Sequence, residues 1–306
     1  MKCLAVGDIF VTTEMMRSAF EKYEDLFTEC KYLFFGKKNR KAMRDTVKLI
    51  ELGGRDECAL PKGYLEAVEE AEVLMVHLCP ITEEVLNRAK KLKYILCNRG
   101  GVENVDVEAV NAFIQELKSR NLYTIARISA FRDRSYGMEH VNRGIYHVSK
   151  MGLWPDSQHC YWLDPTNSTV LSYVTSVVQE VKAMGFDEIV LADFKIPSSD
   201  KALFNGDKNQ ALTSAAAALA ENCGTEQVIL SFVVDSSSFQ LPEGQCRLYL
   251  DTVAAERVGA AAALTTVENP KVYMVFIADS NDTRYDEYSV LRPIAASDVL
   301  GSGNRE

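Results

Sequence analysis

The 306-residue sequence lacks several features that would assign it to a class at once. None of its apolar runs approaches the roughly 18 residues of a membrane span. Its eight cysteines form no CxxC pair and no Cys/His cluster, which argues against a zinc site or a dense disulfide framework. Low-complexity tracts and repeats are missing as well. These absences predict a globular protein with reduced thiols and no bound metal.

Positive charge is also scarce. The chain has 43 acidic against 34 basic residues, a net charge of −9. This excess argues against electrostatic binding of nucleic acid or of an anionic membrane. The first apolar run is too short for a signal peptide and an acid follows it early, so a cytoplasmic location is expected. The sequence leaves the oligomeric state open.

Short apolar runs alternate with helical periodicity in the first third, the pattern of βα units in a parallel sheet. Thr13 is a plausible cap for the first helix, predicted over Thr13–Tyr23, and Gly53-Gly54 ends the second. The segment predicts a flavodoxin-like parallel sheet with about four strands, at Cys3–Val6, Tyr32–Phe35, Val73–Leu78 and Tyr94–Cys97.

The alternation resumes after residue 113 and gives six further β units in succession. Six units suit a partial (β/α) TIM-type barrel, two units short of the usual eight. The fold class is therefore α/β throughout. The predicted strands of this part are Leu122–Ser129, Phe186–Leu191, Val228–Val234, Arg247–Leu250, Ala262–Thr266 and Val272–Ala278.

The segment Val73–Glu84, followed by Leu92–Asp106, resembles the substrate-binding domain of D-isomer-specific 2-hydroxyacid dehydrogenases, over about residues 1–110. The resemblance implies that backbone N–H groups of the loop Arg99-Gly100-Gly101 face a substrate carboxylate. Glycines let the backbone approach an anion closely. The alternative is a strand-to-helix turn that needs positive φ, without any ligand.

The rest of such an enzyme is missing from the chain. Hydride transfer needs a nicotinamide held by a GxGxxG turn, and no GxGxxG occurs in the sequence. The family's catalytic residues lie in or after that cofactor domain, so no position here inherits them. We therefore expect no cofactor and no NAD-dependent activity. His77 lies on an apolar strand, which favours a hydrogen-bonded core histidine.

Three later segments, Leu122–Asp133, Tyr161–Pro165 and Gly185–Pro197, are similar to a bacterial family of glycoside hydrolases with a TIM-barrel fold. The similarity covers about residues 113–297 and starts at the family's third strand. It predicts two domains, 1–112 and 113–306. Strands of the first segment are expected to stand in for, or pack against, the two missing barrel strands.

Acidic residues follow the predicted strands of the second segment at the edge where barrel enzymes carry their chemistry. A glycosidase needs one protonated and one ionised carboxyl, about 5–10 Å apart. Asp193 is the best candidate for the acid/base role, with Asp133, Asp235 or Asp251 as its partner. Each of these residues, taken singly, is also a common turn or helix cap.

Two further observations bear on this site. Trp154 and Trp162, with Tyr161, offer aromatic surfaces on which a sugar could stack. The resemblance also shows a departure, because Ala192 occupies the position where the family usually has an acid. Neighbouring strand residues point to opposite sides, so Asp193 is not a simple substitute.

The sequence therefore supports two main functional hypotheses. One is a glycoside-hydrolase-like, carbohydrate-active protein. The other is a non-catalytic fusion product that retains carbohydrate or small-anion binding. A fragment related to the 2-hydroxyacid dehydrogenases is a third interpretation. The spacing of His140, His147 and His159 fits no standard metal pattern, so these are interpreted as solvated loop residues.

Overall fold

The computed structural model describes residues 1–21, 27–98, 103–149, 151–235, 239–251, 253–264, 267–278 and 282–291. The chain divides into two compact units, and the division falls between Glu116 and Leu117. This division lies inside one helix, a few residues after the predicted domain boundary at 112/113. The assignment of each domain to its own function stays a prediction.

The first unit is a four-stranded sheet with the order β2-β1-β3-β4, in which all pairs are parallel. This is the predicted flavodoxin-like parallel sheet. Its elements are β1 (Lys2–Gly7), α1 (Thr13–Phe20), β2 (Glu29–Phe34), α2 (Arg40–Glu51), α3 (Tyr64–Val68), β3 (Val73–Val76), α4 (Glu83–Arg88), β4 (Tyr94–Cys97) and α5 (Val107–Ser119), which continues into the second unit.

Side-chain caps fix where the helices of this unit begin. Thr12, and not the predicted Thr13, caps α1, because Thr12 has extended backbone angles and its Oγ1 accepts the N–H of Met15 at 3.3 Å. Asn39 caps α2 by accepting the N–H of Lys41 at 2.9 Å. The strand order has a consequence as well. The chain moves from β1 to β2 on one side and then to β3 on the other, so the sheet has a topological switch point between β1 and β3.

The second unit is a six-stranded parallel sheet, curled as a half-barrel, with the order β12-β11-β10-β9-β7-β5. A two-stranded antiparallel sheet of β6 and β8 accompanies it. The elements are β5 (Ile125–Ser129), α6 (Arg134–Glu139), β6 (Tyr146–His147), α7 (Ser168–Ala183), β7 (Glu188–Ala192), β8 (Ala202–Leu203), α8 (Lys208–Cys223), β9 (Ile229–Val234), β10 (Cys246–Asp251), α9 (Val258–Leu264), α10 (Pro270–Tyr273), β11 (Met274–Ile277) and β12 (Ser289–Leu291).

One predicted strand is wrong. Ala262–Thr266 was expected to extend, yet Ala262 lies in the helix α9, whose sequence VGAAAAL contains the four alanines Ala260–Ala263. Alanine has the highest helix propensity, and only one residue of α9 is β-branched. The sixth strand is instead β12, which pairs with β11 through Val290 and Phe276.

The strands of each sheet pair among themselves. Within the described residues, no strand of the first segment takes a place in the six-stranded sheet, so the expectation that these strands stand in for missing barrel strands is wrong as regards pairing. The expectation that they pack against the barrel stays a prediction.

One face of the six-stranded sheet, here called the inner face, carries a cluster of buried residues that all belong to strands. Right-handed crossovers put the connecting helices on the other face. The inner face is buried along its middle, and its cluster consists of Val190, Ala192, Val233, Tyr249 and Val275.

A polar network occupies the amino end of the inner face. Glu188 is fully buried there and accepts hydrogen bonds from Tyr123 Oη at 2.8 Å, Ser231 Oγ at 2.5 Å and Arg247 Nη1 at 3.1 Å. Each carboxylate oxygen has a donor, so the buried charge is compensated. Because catalytic groups of barrels lie at the opposite end, this network stabilises the fold.

Candidate active site

Four acids lie at the carboxyl edge of the six-stranded sheet, where the sequence predicted them. Asp193 follows β7 directly, Asp235 follows β9 directly, and Asp251 is the last residue of β10. Asp133 comes four residues after the end of β5. Because β7, β9 and β10 are consecutive neighbours in the sheet, these strand ends lie side by side.

Asp193 has an uncommon backbone conformation. Its φ is 51°, in the left-handed region that non-glycine residues rarely adopt. The strand therefore breaks at Asp193, and its Oδ2 lies 2.9 Å from Oγ of Ser129 on the neighbouring strand. Ser129 pairs with Ala192 and so shares its inner face. The left-handed turn thus brings the Asp193 carboxyl to a residue of the inner face, which simple alternation did not allow.

The hydroxyl of Ser129 has two acceptors and one proton. Its Oγ lies 2.8 Å from the carbonyl oxygen of Arg132 and 2.9 Å from Asp193 Oδ2. A serine hydroxyl has one proton to donate, so it serves one of these acceptors at a time. The contact with Asp193 ties the end of β5 to the end of β7 and holds the Asp193 carboxyl at the inner face.

Arg132 and Asp156 form an ion pair beside Asp193. Arg132 Nε donates to Asp156 Oδ2 at 2.6 Å, and Trp162 Nε1 donates to the same oxygen at 3.3 Å. The other oxygen of Asp156 accepts the backbone N–H groups of Gln158 and Cys160 at 2.9 and 3.0 Å. The pair fixes the loop that follows β5 over the edge of the sheet.

The charges at this edge influence one another. Burial raises the pKa of Asp156, but hydrogen bonds from Arg132 and from backbone N–H groups more than offset it, and the pKa is lowered. Burial likewise lowers the pKa of Arg132, whereas its hydrogen bond to Asp156 and the charges of Cys160, Asp156 and Asp193 raise it overall. Arg132 thus stays cationic and contributes positive potential near Asp193.

Both carboxylate oxygens of Asp133 accept hydrogen bonds from nearby groups of the second unit. Its Oδ1 accepts the N–H of Tyr136 at 2.9 Å and caps α6, and its Oδ2 accepts the hydroxyl of Tyr173 at 2.8 Å. Tyr136 and Tyr173 stack with their centroids 4.0 Å apart. The cap interpretation of Asp133 is thus the one that its contacts support, and both of its oxygens are occupied.

The other predicted residues are distributed differently. Asp235 is exposed, and the side chain of Asp251 lies outside the described part. Trp162 is only 6% exposed, with Lys195 Nζ 5.9 Å from its ring centroid, so it offers little free surface for stacking. Trp154 is half-buried. The candidate anion-binding residues Arg99, Gly100 and Gly101 lie outside the described residues.

The three histidines of the loop region have ordinary surroundings. His140 packs edge-on against Tyr136, and His147 Nδ1 lies 2.9 Å from Ser149 Oγ. His159 is exposed, with a φ of 58°. In the part of the chain that the structure describes, no three His, Cys, Asp or Glu side chains are grouped to hold a metal ion.

Sequence reasoning missed Ser129, Arg132 and Asp156 as members of this group. Ser129 ends a strand and Arg132 follows it, which was a usable signal for the carboxyl edge. Asp156 gave no signal, because it lies 24 residues from Arg132 and reaches it only through the antiparallel pairing of Arg132 with Trp162.

Comparison with known families assigns this part of the chain. A family model described as "Putative glycosyl hydrolase domain" matches residues 91–243, half of the sequence. The chain belongs to this glycosyl hydrolase domain family. The match includes β5, β7 and β9 with Asp133, Asp193 and Asp235, and it ends before Asp251. The family match begins at residue 91, whereas the similarity seen in the sequence began near residue 113.

A second family model overlaps the glycosyl hydrolase domain. The D-isomer specific 2-hydroxyacid dehydrogenase catalytic domain matches residues 36–113. Both models thus include residues 91–113, which hold β4 and the first half of α5. The dual resemblance expected from the sequence is confirmed, and the chain is glycoside-hydrolase-like. A comparison with curated proteins finds no match.

Several solved structures resemble the chain at low identity. A hypothetical protein from Ruminiclostridium thermocellum has 19% identity and a TM-score of 0.38, with 56% of this chain and 88% of that chain covered. Ega3 from Aspergillus fumigatus, in complex with galactosamine, has 11% identity and a TM-score of 0.43, with 73% of this chain and 84% of that chain covered. The glycoside hydrolase domain of PelA from Pseudomonas aeruginosa has 13% identity and a TM-score of 0.43, with 71% of this chain and 87% of that chain covered. At these TM-scores the family model alone makes the assignment.

Proposed function

We propose that the second unit binds a carbohydrate at the carboxyl edge of β7 and β9 and hydrolyses a glycosidic bond there. Asp193 acts as the acid that protonates the leaving oxygen. The observation that carries this proposal is the left-handed conformation of Asp193 with its 2.9 Å contact to Ser129. Strained backbone of this kind persists where the surrounding structure over-determines it, and such sites are often functional.

The second carboxyl is assigned to Asp235. β7 and β9 are neighbours with Leu191 opposite Phe232, so Asp235 lies one residue beyond the level of Asp193. Adjacent strands lie about 4.8 Å apart, so the two residues follow neighbouring strand ends at nearly the same level. A glycosidase needs its two carboxyls about 5–10 Å apart, which side chains on neighbouring strand ends can reach. Asp133 is not assigned this role because both of its oxygens are engaged.

The experiment is a hydrolysis screen of the full-length protein on p-nitrophenyl glycosides and on a panel of oligosaccharides, with reducing ends measured. Asp193→Asn and Asp235→Asn should each lower turnover by about a hundredfold or more, as expected for loss of acid or base catalysis. Asp45→Asn, a change of an exposed acid on α2 of the first unit, is the matched control. Unchanged turnover in Asp193→Asn would make the assignment wrong.

A second candidate is carbohydrate binding without turnover. It is favoured by Ala192, which leaves the position of the family's usual acid without a carboxyl on the inner face. Equilibrium binding of the same oligosaccharides, with no release of reducing ends by the wild type, would support this candidate over hydrolysis. Absence of both binding and turnover would exclude both.

A further inference from the structure

An aspartate and a histidine meet at the switch point of the first unit. Asp8 follows β1 directly and His77 follows β3, and the two strands are neighbours. Asp8 Oδ2 lies 2.7 Å from His77 Nδ1. In open parallel sheets, ligands bind outside the carboxyl ends of the strands at such a switch point.

Asp8 is built into the turn after β1. It is fully buried, and its oxygens accept the N–H groups of Phe10 at 2.8 Å, Val11 at 3.1 Å and Leu78 at 3.3 Å. The turn is tight, since a Cβ on Gly7 would lie 2.6 Å from the backbone nitrogen of Thr13. Any side chain larger than hydrogen at residue 7 would displace this turn.

The protonation of the pair follows from these contacts. Burial raises the pKa of Asp8, but the hydrogen bond and charge of His77 and the two N–H groups of the turn lower it below the ordinary value. Asp8 is therefore a carboxylate at neutral pH and can only accept. The proton of the contact lies on Nδ1, which leaves Nε2 as the ring nitrogen that can face a ligand.

Nothing in the described part of the chain hydrogen-bonds to Nε2, and the His77 side chain is 16% exposed. The expected satisfied core histidine is thus satisfied at one nitrogen only. The buried Asn104 donates to the carbonyl oxygens of His77 at 3.4 Å and Cys79 at 3.1 Å and holds this segment in place. Asp8 thus orients the ring and Asn104 holds the backbone that carries it, as the outer partners of metal-bound and catalytic imidazoles do.

We propose that Nε2 of His77 is the proton-accepting group of a second ligand site, with Asp8 as its positioning residue and a neutral, hydroxyl-bearing small molecule as its ligand. The lone pair accepts an O–H proton. The negative charge of the Asp8 carboxylate repels an anionic ligand. The nearby backbone N–H groups already donate to Asp8, so they are not available to bind an anion. The inference concerns the first unit and is independent of the proposed glycosidase activity.

The test uses diethyl pyrocarbonate on the full-length protein, with the rate at each histidine followed by peptide mass mapping. The Nε2 lone pair attacks a carbonyl carbon of the reagent, and the C–O anhydride bond breaks. Ethyl carbonate leaves and decomposes to CO₂ and ethanol, while the Nδ1 proton passes to Asp8 or to water. His77 should react at least as fast as the exposed His159, despite its lower exposure.

Two further arms separate orientation from ligand class. Asp8→Asn should slow the reaction of His77 about tenfold, as loss of an orienting partner does, and leave His147 and His159 unchanged. Asp8→Glu, which keeps a carboxylate, should recover part of that rate. Glycerol, the neutral hydroxyl probe, should protect His77 selectively. The proposed role of the dyad would be wrong if His77 of the wild type did not react, or if His77 reacted at the same rate in the wild type and in both Asp8 variants. The proposed ligand class would be wrong if glycerol protected all the histidines equally.

Discussion

Asp193 Oδ2 lies 2.9 Å from Ser129 Oγ although the two residues are 64 positions apart in the chain. The contact depends on the left-handed backbone of Asp193 at the end of β7. It places a carboxyl at the inner face, where Ala192 has none, and it joins the ends of β5 and β7.

The backbone conformation of Asp193 should be measurable as strain. Asp193→Ala and Asp193→Gly both remove the carboxyl and its hydrogen bond, but only glycine adopts positive φ freely. We expect the free energy of unfolding of the glycine variant to exceed that of the alanine variant by about 1 kcal/mol. Urea denaturation measures the difference. Equal stability would mean that residue 193 is not held in the left-handed region in solution.

The buried Glu188 should matter far more than an exposed acid. Glu188→Ala leaves Arg247, which is 29% exposed, without its partner. We expect a loss of about 3 kcal/mol in the free energy of unfolding. Glu287→Ala is the control, because Glu287 and Lys271 form an ion pair whose side chains are 69% and 62% exposed. That change should leave the free energy of unfolding indistinguishable from that of the wild type, and a similar cost for both variants would contradict the prediction.

The ion pair of Arg132 and Asp156 should make stability depend on acid pH. The pKa of Asp156 is lower in the folded chain than in the unfolded chain, where it is about 3.9. Its contribution is therefore fully present above that value and is lost as the pH falls through the folded pKa. The difference in free energy of unfolding between wild type and Asp156→Asn should be constant from pH 5 to 7 and shrink below about pH 4. A difference that grows on acidification would show the opposite sign.

Asp133 should behave as a cap. Asp133→Ala removes an acceptor for the N–H of Tyr136 and should cost about 1 kcal/mol of stability. Asp133→Asn retains a side-chain oxygen and should cost less. Turnover of any glycoside substrate by the asparagine variant should stay within a few-fold of wild type. A loss as large as that expected for Asp193→Asn would return Asp133 to the catalytic pair.

Much of the fold follows from local sequence. The strands β1, β3, β4, β7 and β9 were predictable because each is an apolar run between turn or helix signals. The strand predicted at Ala262–Thr266 is wrong because four successive alanines favour a helix. The strand β12 was missed because it is only three residues long. The positions of Asp193, Asp235 and Asp251 at strand ends were also predictable, since register alone fixes them.

The contacts of the sites were less accessible to sequence reasoning. Ser129 meets Asp193 only because one residue adopts positive φ, which no periodicity encodes. The pairing of Asp8 with His77 depends on β1 and β3 being neighbours, and an apolar strand around His77 suggested only a core position. Asp133 carried two interpretations, and Tyr173, the partner of its second oxygen, lies 40 residues away.

The helix α5 has a practical consequence for anyone who divides this protein. It runs from Val107 to Ser119, across the division between the two units, and its first half lies within both family matches. A recombinant fragment that starts at residue 113 would cut the helix between its turns and discard its first six residues, including the buried Val110. Fragments for expression should therefore keep α5 whole, with residue 103 or earlier as their starting point. Residues 91–113, with β4 and the first half of α5, are the segment that both family models match, so a cut inside this βα module would remove part of both matches.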